Sequence, residues 1–368
     1  MKIAVLASGG VDSSVALRLL KDQGHEVEAF YLKIWLEDEL SYLGNCPWEE
    51  DLYFVEQICT QLDVPLHVIP LQKEYWSQVV SYTIAEVQAG RTPSPDLLCN
   101  QRIKFGAFLS AIDDSFDAIA TGHYAQIEKT GSMTVLKKAV DPVKDQTYFL
   151  AYLSQQQLSR LMFPIGNLHK HQVRALAQEF NLPNQARRDS QGICFLGKIK
   201  FSDFVRHHLG DRPGDLIEHE SGLIVGQHQG FWYYTIGQRK GIGLSGGPWF
   251  VVKKDIVKNI VYISRSYYSD EKIRNAFIVD SLNWIALSVP QSTALQVKVR
   301  HGEASYQCSL EYLPDGKALV TIEGNDQGLA EGQFAVFYDG DSCVGCATIA
   351  ANCIVPCENA RLFTISNK

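Results

Sequence analysis

The chain has 368 residues and a formal net charge of −7, with 46% hydrophobic and 20% charged residues. This length exceeds what one ordinary hydrophobic core accommodates, so two or three domains are expected, and the composition is typical of a folded, soluble protein. No run of eighteen apolar residues occurs, which argues against a membrane-spanning helix.

The N-terminal half has the pattern of a parallel α/β sheet, because short apolar runs alternate with segments of helical periodicity. A first strand at 2–7 runs into a Ser-Gly-Gly turn and then into a helix that ends at Gly24. The further predicted elements, in chain order, are a strand at 25–32, a helix at 49–62, a strand at 65–71, helices at 76–89 and 103–112, a strand at 117–121 and a helix at 171–180.

The pattern changes after about residue 210, where helical stripes fade and short β-branched runs follow one another, some separated by turn signals such as Pro314-Asp315-Gly316. This pattern predicts a small all-β barrel or sandwich. Three units are therefore expected: an α/β domain at 1–204, a β-rich central connector at 205–272 and a C-terminal β-barrel at 273–368. The β-branched runs lie at 260–263, 276–279, 295–299, 318–322 and 334–338.

Cysteine usage and local charge bear on the compartment and the partners. Nine cysteines in a chain whose N-terminus lacks the long apolar core of a signal peptide are expected to be reduced thiols in a cytoplasm. The negative net charge opposes a nucleic-acid partner, but binding depends on the local field. Between 187 and 212 six Lys and Arg residues stand against three Asp, so this segment is a candidate phosphate contact.

The turn after the first strand, Ser8-Gly9-Gly10-Val11-Asp12-Ser13, has the composition of a phosphate loop. Glycines let the backbone approach an anion, and the N–H groups of the turn and of the helix N-terminus point at it. The loop is neither a Walker A motif nor a dinucleotide fingerprint. Asp12 is unexpected beside phosphate unless it holds the loop or a Mg²⁺ ion. The alternative interpretation is a plain helix N-cap after a tight turn.

The SGGxDS pattern resembles the PP-loop of ATP pyrophosphatases. That resemblance implies an enzyme that cleaves ATP between its α and β phosphates and transfers AMP to an acceptor oxygen, leaving pyrophosphate. The motif does not identify the acceptor.

Cys99 is the first candidate for acceptor chemistry. It lies at the predicted N-terminal turn of a helix, where the helix dipole and the nearby Arg102 and Lys104 favour a thiolate. Asp96, three residues earlier, could shuttle a proton to or from the reacting oxygen. The alternative is a small buried core cysteine, which fits a polar, proline-punctuated segment less well.

Cys194 is the second candidate, in a loop-like stretch behind Arg187-Arg188 with Gly192 and Gly197 on either side. Sulfur transfer needs a thiol exposed enough to accept a persulfide and a second thiol to resolve it. Two separated cysteines in mobile, cationic segments fit that requirement.

Ordered motifs across residues 6–243, with a weaker match at 331–340, make the chain similar to the tRNA-specific 2-thiouridylases (the MnmA/TrmU family). In chain order they are SGGVDSSV, RTPSPDLLCNQRIKF, ATGHY, KDQTYFL, DSQGICFLG and TIGQRKGIG.

The resemblance implies a HUP-like PP-loop domain that makes 2-thiouridine at the wobble position of tRNA, with ATP, Mg²⁺ and a sulfur-donor protein. The uridine C2 oxygen is adenylated and then replaced by sulfur from a cysteine persulfide. By the same resemblance Cys99 is the nucleophile, Cys194 carries the persulfide, and the two can form a redox disulfide. The resemblance places Leu6, Ala7, Ser8, Gly9, Gly10, Val11, Asp12, Ser13, Leu32 and Gly122 at ATP; Ser94, Pro95 and Asp96 at the target base; and His123, Lys144, Asp145, Gln146, Arg300, His301 and Gln333 at the tRNA.

Three places depart from the family pattern. Ser94 stands where the family commonly has Asn, which leaves the base contact there open. His301 stands where an aromatic residue is expected, although its ring can still stack on a base or pair with phosphate. The segment 38–48 matches little and receives no role.

Other functions and sites fit parts of the sequence. PP-loop ligases that deliver nitrogen share the adenylation but do not need Cys99 and Cys194, and a non-enzymatic tRNA-binding protein does not need the intact loop. An iron–sulfur cluster on Asp96, Cys99 and Cys194 lacks an obvious fourth ligand and is less favoured. The spacing of the C-terminal cysteines suits a zinc knuckle, but a strand should point the first two to opposite faces, so burial is preferred. Those cysteines are Cys343, Cys346, Cys353 and Cys357.

Overall fold

The computed structural model describes residues 1–35, 48–189, 199–266, 274–290, 292 and 294–350. No helix within these ranges is long and apolar enough to cross a membrane. The helices are α1 (Val11–Asp22), α2 (Trp48–Leu62), α3 (72–88), α4 (95–111), α5 (Thr147–Leu150), α6 (Gln155–Leu158), α7 (Lys170–Glu179) and α8 (Phe201–Leu209), with a 3₁₀ turn at Phe231–Tyr233. The strands are β1 (Lys2–Leu6), β2 (Glu26–Lys33), β3 (Leu66–Pro70), β4 (Ala118–Thr121), β5 (Gln126–Thr130), β6 (Met133–Lys137), β7 (Leu161–Met162), β8 (Gly214–Glu218), β9 (Ile224–His228), β10 (Phe250–Asp255), β11 (Ile260–Ser264), β12 (Ala276–Trp284), β13 (Leu295–Lys298), β14 (Tyr306–Tyr312), β15 (Ala318–Ile322), β16 (Phe334–Asp339) and β17 (Ser342–Ile349).

The N-terminal sheet consists of five parallel strands in the order β3-β2-β1-β4-β7. The central strand β1 is inaccessible at Ile3, Ala4 and Val5, as expected when helices cover both faces of a parallel sheet. Leu6 pairs with Phe30 of β2 on one side and with Thr121 of β4 on the other. The chain therefore turns in opposite directions from β1, and the carboxyl edge between β1 and β4 is the switch point where such sheets bind ligands. The predicted parallel α/β fold is confirmed.

The helix that carries Cys99 begins earlier than predicted, at 95 rather than at 103. Pro95 occupies its first position, where a missing N–H costs nothing and the fixed φ suits a helix. From Cys99 to Ala107 the helix has π-type geometry, with hydrogen bonds from residue i+5 to residue i. That stretch departs from the 3.6-residue period on which the prediction depended. In the same way, α3 begins at 72 rather than at 76 and contains a π-type segment, Trp76–Val80.

A four-stranded sheet in the order β10-β11-β8-β9 forms the central part of the chain. Its core contains Leu216, Val251 and Val261, all inaccessible to solvent. The aromatic run at 231–234 packs on this core, and Trp232 and Tyr233 also pack on the core of the N-terminal sheet. The run is therefore part of the interface between the central sheet and the N-terminal part.

Six antiparallel strands, β12 to β17, close into a barrel, because β12 pairs with both β15 and β17. The predicted C-terminal β-barrel is confirmed. The hairpin β5–β6 was not predicted, and it extends this barrel sheet: Ser342 and Cys343 of β17 pair with Lys137 and Leu136 of β6. The N-terminal half of the chain thus supplies two strands to the C-terminal sheet.

The expected opposite orientation of Cys343 and Cys346 is wrong, whereas their burial is as preferred. Both side chains are buried in one core cluster, with exposures of 2% and 0%. The ladder between β16 and β17 shifts register between Phe337 and Tyr338, so one extra residue of β17 changes the alternation of faces. Burial raises the pKa of both thiols. Cys353 and Cys357 lie outside the described residues.

Candidate active site

The loop between β1 and α1 has the geometry of an anion cradle. Gly9 has a φ of +72°, and a Cβ at this position would lie 2.5 Å from the backbone oxygen of Asp51. The Ser13 hydroxyl accepts a hydrogen bond from the Ser8 N–H at 3.2 Å and donates one to the Gly10 carbonyl at 3.0 Å. Because Gly10 is the N-cap and has no side chain, the first amides of α1 receive no side-chain cap. They are open to an anion that arrives at the helix N-terminus.

Gly122, directly after β4, closes the other side of the cradle. A Cβ on Gly122 would lie 2.6 Å from the backbone nitrogen of Ser13 and 2.7 Å from the carbonyl carbon of Asp12. Any larger residue would displace the first turn of α1 or cover its amides. The structure therefore brings the predicted Gly122 into contact with the predicted loop, beside the uncapped amides of α1. Leu32 lies half-buried at the carboxyl end of β2.

Asp12 holds the loop to α7. Its two carboxylate oxygens accept hydrogen bonds from the Lys170 ammonium at 2.7 and 2.8 Å, and one of them also accepts from the Tyr124 hydroxyl at 3.0 Å. A carboxylate already bound to an ammonium group does not fit the role of a Mg²⁺ ligand. Of the two roles open for Asp12, the geometry favours the loop contact.

The segment that leads towards Cys194 is anchored on the same loop. Asn184, 1% exposed, donates to the Gly9 carbonyl at 2.8 Å and to the Ser14 hydroxyl at 2.9 Å. The Arg187 guanidinium donates to the Gly9 carbonyl at 3.0 Å and to Asp51 at 2.5 Å. Two side chains thus hold one loop carbonyl, so this stretch of chain and the phosphate loop form one unit. Cys194 itself lies outside the described residues.

Asp189 extends this unit through a cluster of cations. Its carboxylate pairs with Lys170 at 2.8 Å, with Lys144 at 2.9 Å and with Arg174. Because Lys170 also binds Asp12, one ammonium group bridges the phosphate loop and the end of the 184–189 segment. Partial burial raises the pKa of Asp189, but the hydrogen bonds from Lys170 and Lys144 outweigh burial and hold that pKa well below its usual range.

The lowered pKa of Asp189 predicts a pH-dependent contribution to stability. A carboxyl whose pKa is depressed by folding stabilises the native state above its unfolded pKa, and this contribution is lost as the pH falls towards the folded pKa. We expect Asp189→Asn to lower the free energy of unfolding at pH 7 by about 2 kcal/mol, since Lys144 and Arg174 lose their carboxylate partner and Lys170 keeps only Asp12. The deficit should shrink below about pH 4.

Urea denaturation at pH 7 and pH 3 measures this difference. Asp22→Asn is the matched control, because Asp22 makes an exposed i,i+4 pair with Arg18 that should contribute less than about 0.5 kcal/mol. An Asp189→Asn deficit that stays constant between the two pH values would contradict the prediction.

Cys99 is placed differently from its prediction. It lies in the second turn of α4 rather than the first, it is 1% exposed, and it packs in a core cluster that joins the N-terminal part to the barrel. Arg102, expected to favour its thiolate, donates to the Gln78 carbonyl at 2.8 Å. The burial of Cys99 agrees with the alternative interpretation of a small buried core cysteine. A reaction at this sulfur requires the residues that cover it to move when the substrate binds.

Two residues of the predicted base site, Ser94 and Asp96, interact with an aromatic residue of α5 and with His301 of the barrel. The His301 and Phe149 rings lie 4.5 Å apart with an interplanar angle of 30°, and Tyr148 lies edge-on to His301 at 6.1 Å. Asp96 interacts electrostatically with His301, and Ser94 hydrogen-bonds Tyr148. Burial lowers the pKa of His301, so its ring is neutral at pH 7. Of its two predicted roles, stacking on a base fits a neutral ring better than pairing with phosphate.

Helix α4 connects this cluster to the phosphate cradle. Asn100, the residue after Cys99, donates its side-chain amide to the Phe149 carbonyl at 2.9 Å. Further along the helix, the Phe105 ring lies 6.1 Å from that of His123, the residue after Gly122. One helix therefore contacts both the His301 cluster and the strand end that abuts the loop.

The predicted tRNA contacts at 144–146 have internal roles in the structure. The Asp145 carboxylate accepts from the Thr147 hydroxyl at 2.8 Å and is 5% exposed. The Gln146 side chain accepts from the Tyr124 backbone N–H at 2.9 Å. Only Lys144 of the three has a half-exposed charge, which is paired with Asp189. Contact of these residues with tRNA stays a prediction.

The other predicted tRNA residues are spread over two parts of the chain. The Arg300 guanidinium binds both oxygens of Asp326, whose side chain is 1% exposed, so the position of Arg300 is fixed. His123 is held by Thr121 at 2.8 Å, and burial with the nearby Lys104 keeps its pKa well below the usual range. The neutral His123 ring therefore brings no charge to a phosphate. Gln333 is half-buried at the start of β16.

Several residues that build the site were missed by sequence reasoning. Lys170 and Asn184 act through contacts with residues more than 150 positions away, for which one sequence gives no signal. Phe149 lay within the KDQTYFL motif and could have been noted, because aromatic residues near a predicted base site are candidates for stacking.

The parallel sheet and the glycine cradle at its switch point define a PP-loop protein of the HUP type, a class of ATP-utilising enzymes, here followed by two β parts. Family models match all three parts in turn: a tRNA methyl transferase HUP domain at 1–198, a tRNA methyl transferase PRC-barrel domain at 202–265 and an aminomethyltransferase beta-barrel domain at 274–349.

Curated relatives cover almost the whole chain. It is 46% identical over 349 residues to a tRNA-specific 2-thiouridylase MnmA of Porphyromonas gingivalis, covering 93% of this chain and 96% of the relative. It is 43% identical to that of Parabacteroides distasonis (95% and 99%) and 44% identical to MnmA 2 of Bacteroides fragilis (95% and 100%). The chain belongs to the tRNA-specific 2-thiouridylase family.

Proposed function

We propose that this protein forms 2-thiouridine at the wobble uridine of tRNA, using ATP to activate the base and a cysteine persulfide to supply sulfur. The observation that carries the proposal is the placement of α4. This helix bears Asp96 and Cys99, meets Phe149 and the neighbouring His301, and contacts His123 beside the nucleotide cradle. Family membership over nearly the whole chain supports the same conclusion.

The first step activates a poor leaving group. The uridine C2 oxygen attacks the α-phosphorus of ATP, pyrophosphate departs, and C2 carries an adenylate. Open N–H groups at the start of α1 and the absence of a side chain at Gly122 suit the binding of phosphate oxygens there. Mg²⁺ bound to the triphosphate would offset part of its charge, and Asp12 would not hold the ion because its carboxylate is bound to Lys170.

The second step delivers sulfur. The terminal sulfur of a Cys194 persulfide attacks C2 and AMP departs, and the Cys99 thiolate then attacks the Cys194 sulfur, which leaves a C2 thiocarbonyl and a Cys99–Cys194 disulfide. Alternatively, Cys99 first frees hydrosulfide, which attacks C2. In both routes two electrons from an external thiol reductant restore the cysteines. Asp96 is proposed to move the proton at the reacting oxygen.

The chain length supports Cys194 as the carrier. Five peptide bonds link it to Asp189, so its Cα lies within about 18 Å of that of Asp189. Asp189 and Asp12 share the Lys170 ammonium, so Cys194 is tethered close to the nucleotide loop. Because Cys99 is 1% exposed, we propose that Cys194 accepts sulfur from a protein donor in the cytoplasm and that Cys99 acts only in the tRNA complex.

The test is a reconstituted reaction with purified protein, a tRNA transcript, ATP, a cysteine desulfurase with free cysteine as the persulfide donor, and dithiothreitol as the reductant, followed by mass spectrometry of the nucleosides. We expect 2-thiouridine together with equal amounts of AMP and pyrophosphate. AMP formation without thiolation when ammonia is supplied would instead indicate a nitrogen ligase. Tight tRNA binding without any ATP consumption would indicate a binding protein.

A further inference from the structure

The segment 90–94, which leads into α4, starts from a tightly defined turn. Helix α3 ends in a Schellman motif: the Arg91 N–H donates to the Glu86 carbonyl at 2.9 Å and the Gly90 N–H donates to the Val87 carbonyl at 3.0 Å. Gly90 has a φ of +81°, as this motif requires. The segment then ends at Ser94, the N-cap of α4, five residues before Cys99.

The central sheet contacts the segment 90–94 from one side. The Lys254 ammonium of β10 donates to the Gly90 carbonyl at 2.5 Å and to the Tyr234 carbonyl at 2.9 Å. Ile256 fills the space left by the absent side chain of Gly90, because a Cβ there would lie 2.5 Å from the Ile256 Cγ2. The C-terminal end of a helix also favours a cation.

The C-terminal barrel contacts the segment 90–94 from the other side. The Thr92 N–H donates to the Glu331 carbonyl at 2.7 Å. Gly332 lies against the segment so closely that a Cβ on it would be 3.0 Å from both the Thr92 carbonyl oxygen and the Arg91 Cβ. Three parts of the chain therefore meet at the segment that sets the position of Ser94.

Burial of the Lys254 ammonium group costs desolvation free energy, which its contacts must offset. Burial lowers the pKa of Lys254 to about 8, with the Glu331 charge opposing the shift, so the side chain is still charged at pH 7. A methionine of similar length would avoid that cost but could not donate to two carbonyls. Its neighbour Lys253 points to solvent and has no contact with the segment among the interactions of the described residues.

We propose that Lys254 is a positioning residue for thiolation, which locks the segment 90–94 between the central sheet and the barrel and thereby fixes the base-site end of α4. The inference rests on the proposed function. Lys254 touches neither ATP nor the base cluster, so its loss should lower kcat while leaving the binding of ATP and tRNA intact. A small displacement of a base-site residue is enough to slow the reaction on the order of 100-fold.

The experiment compares Lys254→Met, Lys254→Arg and Lys253→Met in the reconstituted reaction at pH 7. We expect kcat to fall on the order of 100-fold in Lys254→Met with KM for ATP and tRNA within about threefold, and Lys254→Arg to recover most of the loss because a guanidinium also donates to two carbonyls. Lys253→Met should keep kcat within about twofold. If the melting temperature of Lys254→Met is no lower than that of the wild type, the loss of kcat comes from the displaced segment and not from unfolding.

A second variant covers the case in which Lys254→Met does not fold. Gly332→Ala pushes on Thr92 from the barrel side and should produce the same loss of kcat with unchanged ATP affinity. Full kcat in Lys254→Met, or in Gly332→Ala when the former does not fold, overturns the inference. If the wild-type protein makes no 2-thiouridine, the proposed function fails instead, so the two failures are distinguishable.

Discussion

Cys99→Ser is expected to lose 2-thiouridine formation by on the order of 10⁴-fold while its affinity for ATP stays within about twofold of wild type. A hydroxyl of nearly the same size keeps the helix geometry, but oxygen forms neither a persulfide nor a disulfide at this site. The phosphate cradle lies beside Gly122, and α4 approaches it through the contact between Phe105 and His123 rather than through Cys99. Nucleotide binding should therefore not depend on the sulfur. Nucleoside mass spectrometry and ATP calorimetry measure the two quantities.

The matched control is Cys59→Ser. Cys59 is 4% exposed in α2, so its replacement carries a similar cost of burying a hydroxyl, about 1–3 kcal/mol, without touching the proposed chemistry. We expect this variant to melt earlier and to retain thiolation. Retained thiolation in Cys99→Ser would show that Cys99 is not the nucleophile and would favour a PP-loop enzyme without cysteine chemistry. Cys194→Ser should match Cys99→Ser in activity and in ATP affinity.

Gly122→Ala is expected to weaken ATP binding about 100-fold while tRNA binding is unchanged. The added methyl group would lie 2.6 Å from the Ser13 nitrogen and 2.7 Å from the Asp12 carbonyl carbon, and both are backbone atoms that no rotamer change can move away. Displacing the first turn of α1 removes a hydrogen bond from its amides to a phosphate oxygen, about 1.5–3 kcal/mol for a charged acceptor, and the upper part of that range corresponds to about 100-fold in affinity. Calorimetric titration with ATP measures the effect directly.

Gly24→Ala is the control for backbone strain. Gly24 has a φ of +80° and no atom within 4 Å of the position of a Cβ, so alanine there adds strain without a collision. We expect it to lower the free energy of unfolding by about 1 kcal/mol and to leave ATP affinity unchanged. Wild-type ATP affinity in Gly122→Ala would show that the nucleotide phosphates do not rest on the amides at the start of α1.

Features that depend on neighbouring residues could be predicted from the sequence. The run from β1 through Gly9 and Gly10 into α1 specifies its own geometry, because the alternation of strand, glycine turn and helix and the N–H groups of the first turn all lie within a few residues. Helix α7 was predicted within one residue at each end for the same reason, since its apolar stripe keeps the regular period. Cys99 illustrates the limit: its motif was recognised, but the π-type geometry that starts there and its burial were not.

The sequence by itself therefore determined the parallel sheet, the phosphate loop, the family and the motifs that carry the candidate residues. Only the tertiary structure decided which distant residues meet. It brings the His301 ring of the barrel against the Phe149 ring, extends the barrel with the β5–β6 hairpin, and places Lys170 between Asp12 and Asp189. These contacts join residues up to about 200 positions apart, and their energies come from packing and charge pairing that exist only when the domains dock, so no local pattern encodes them.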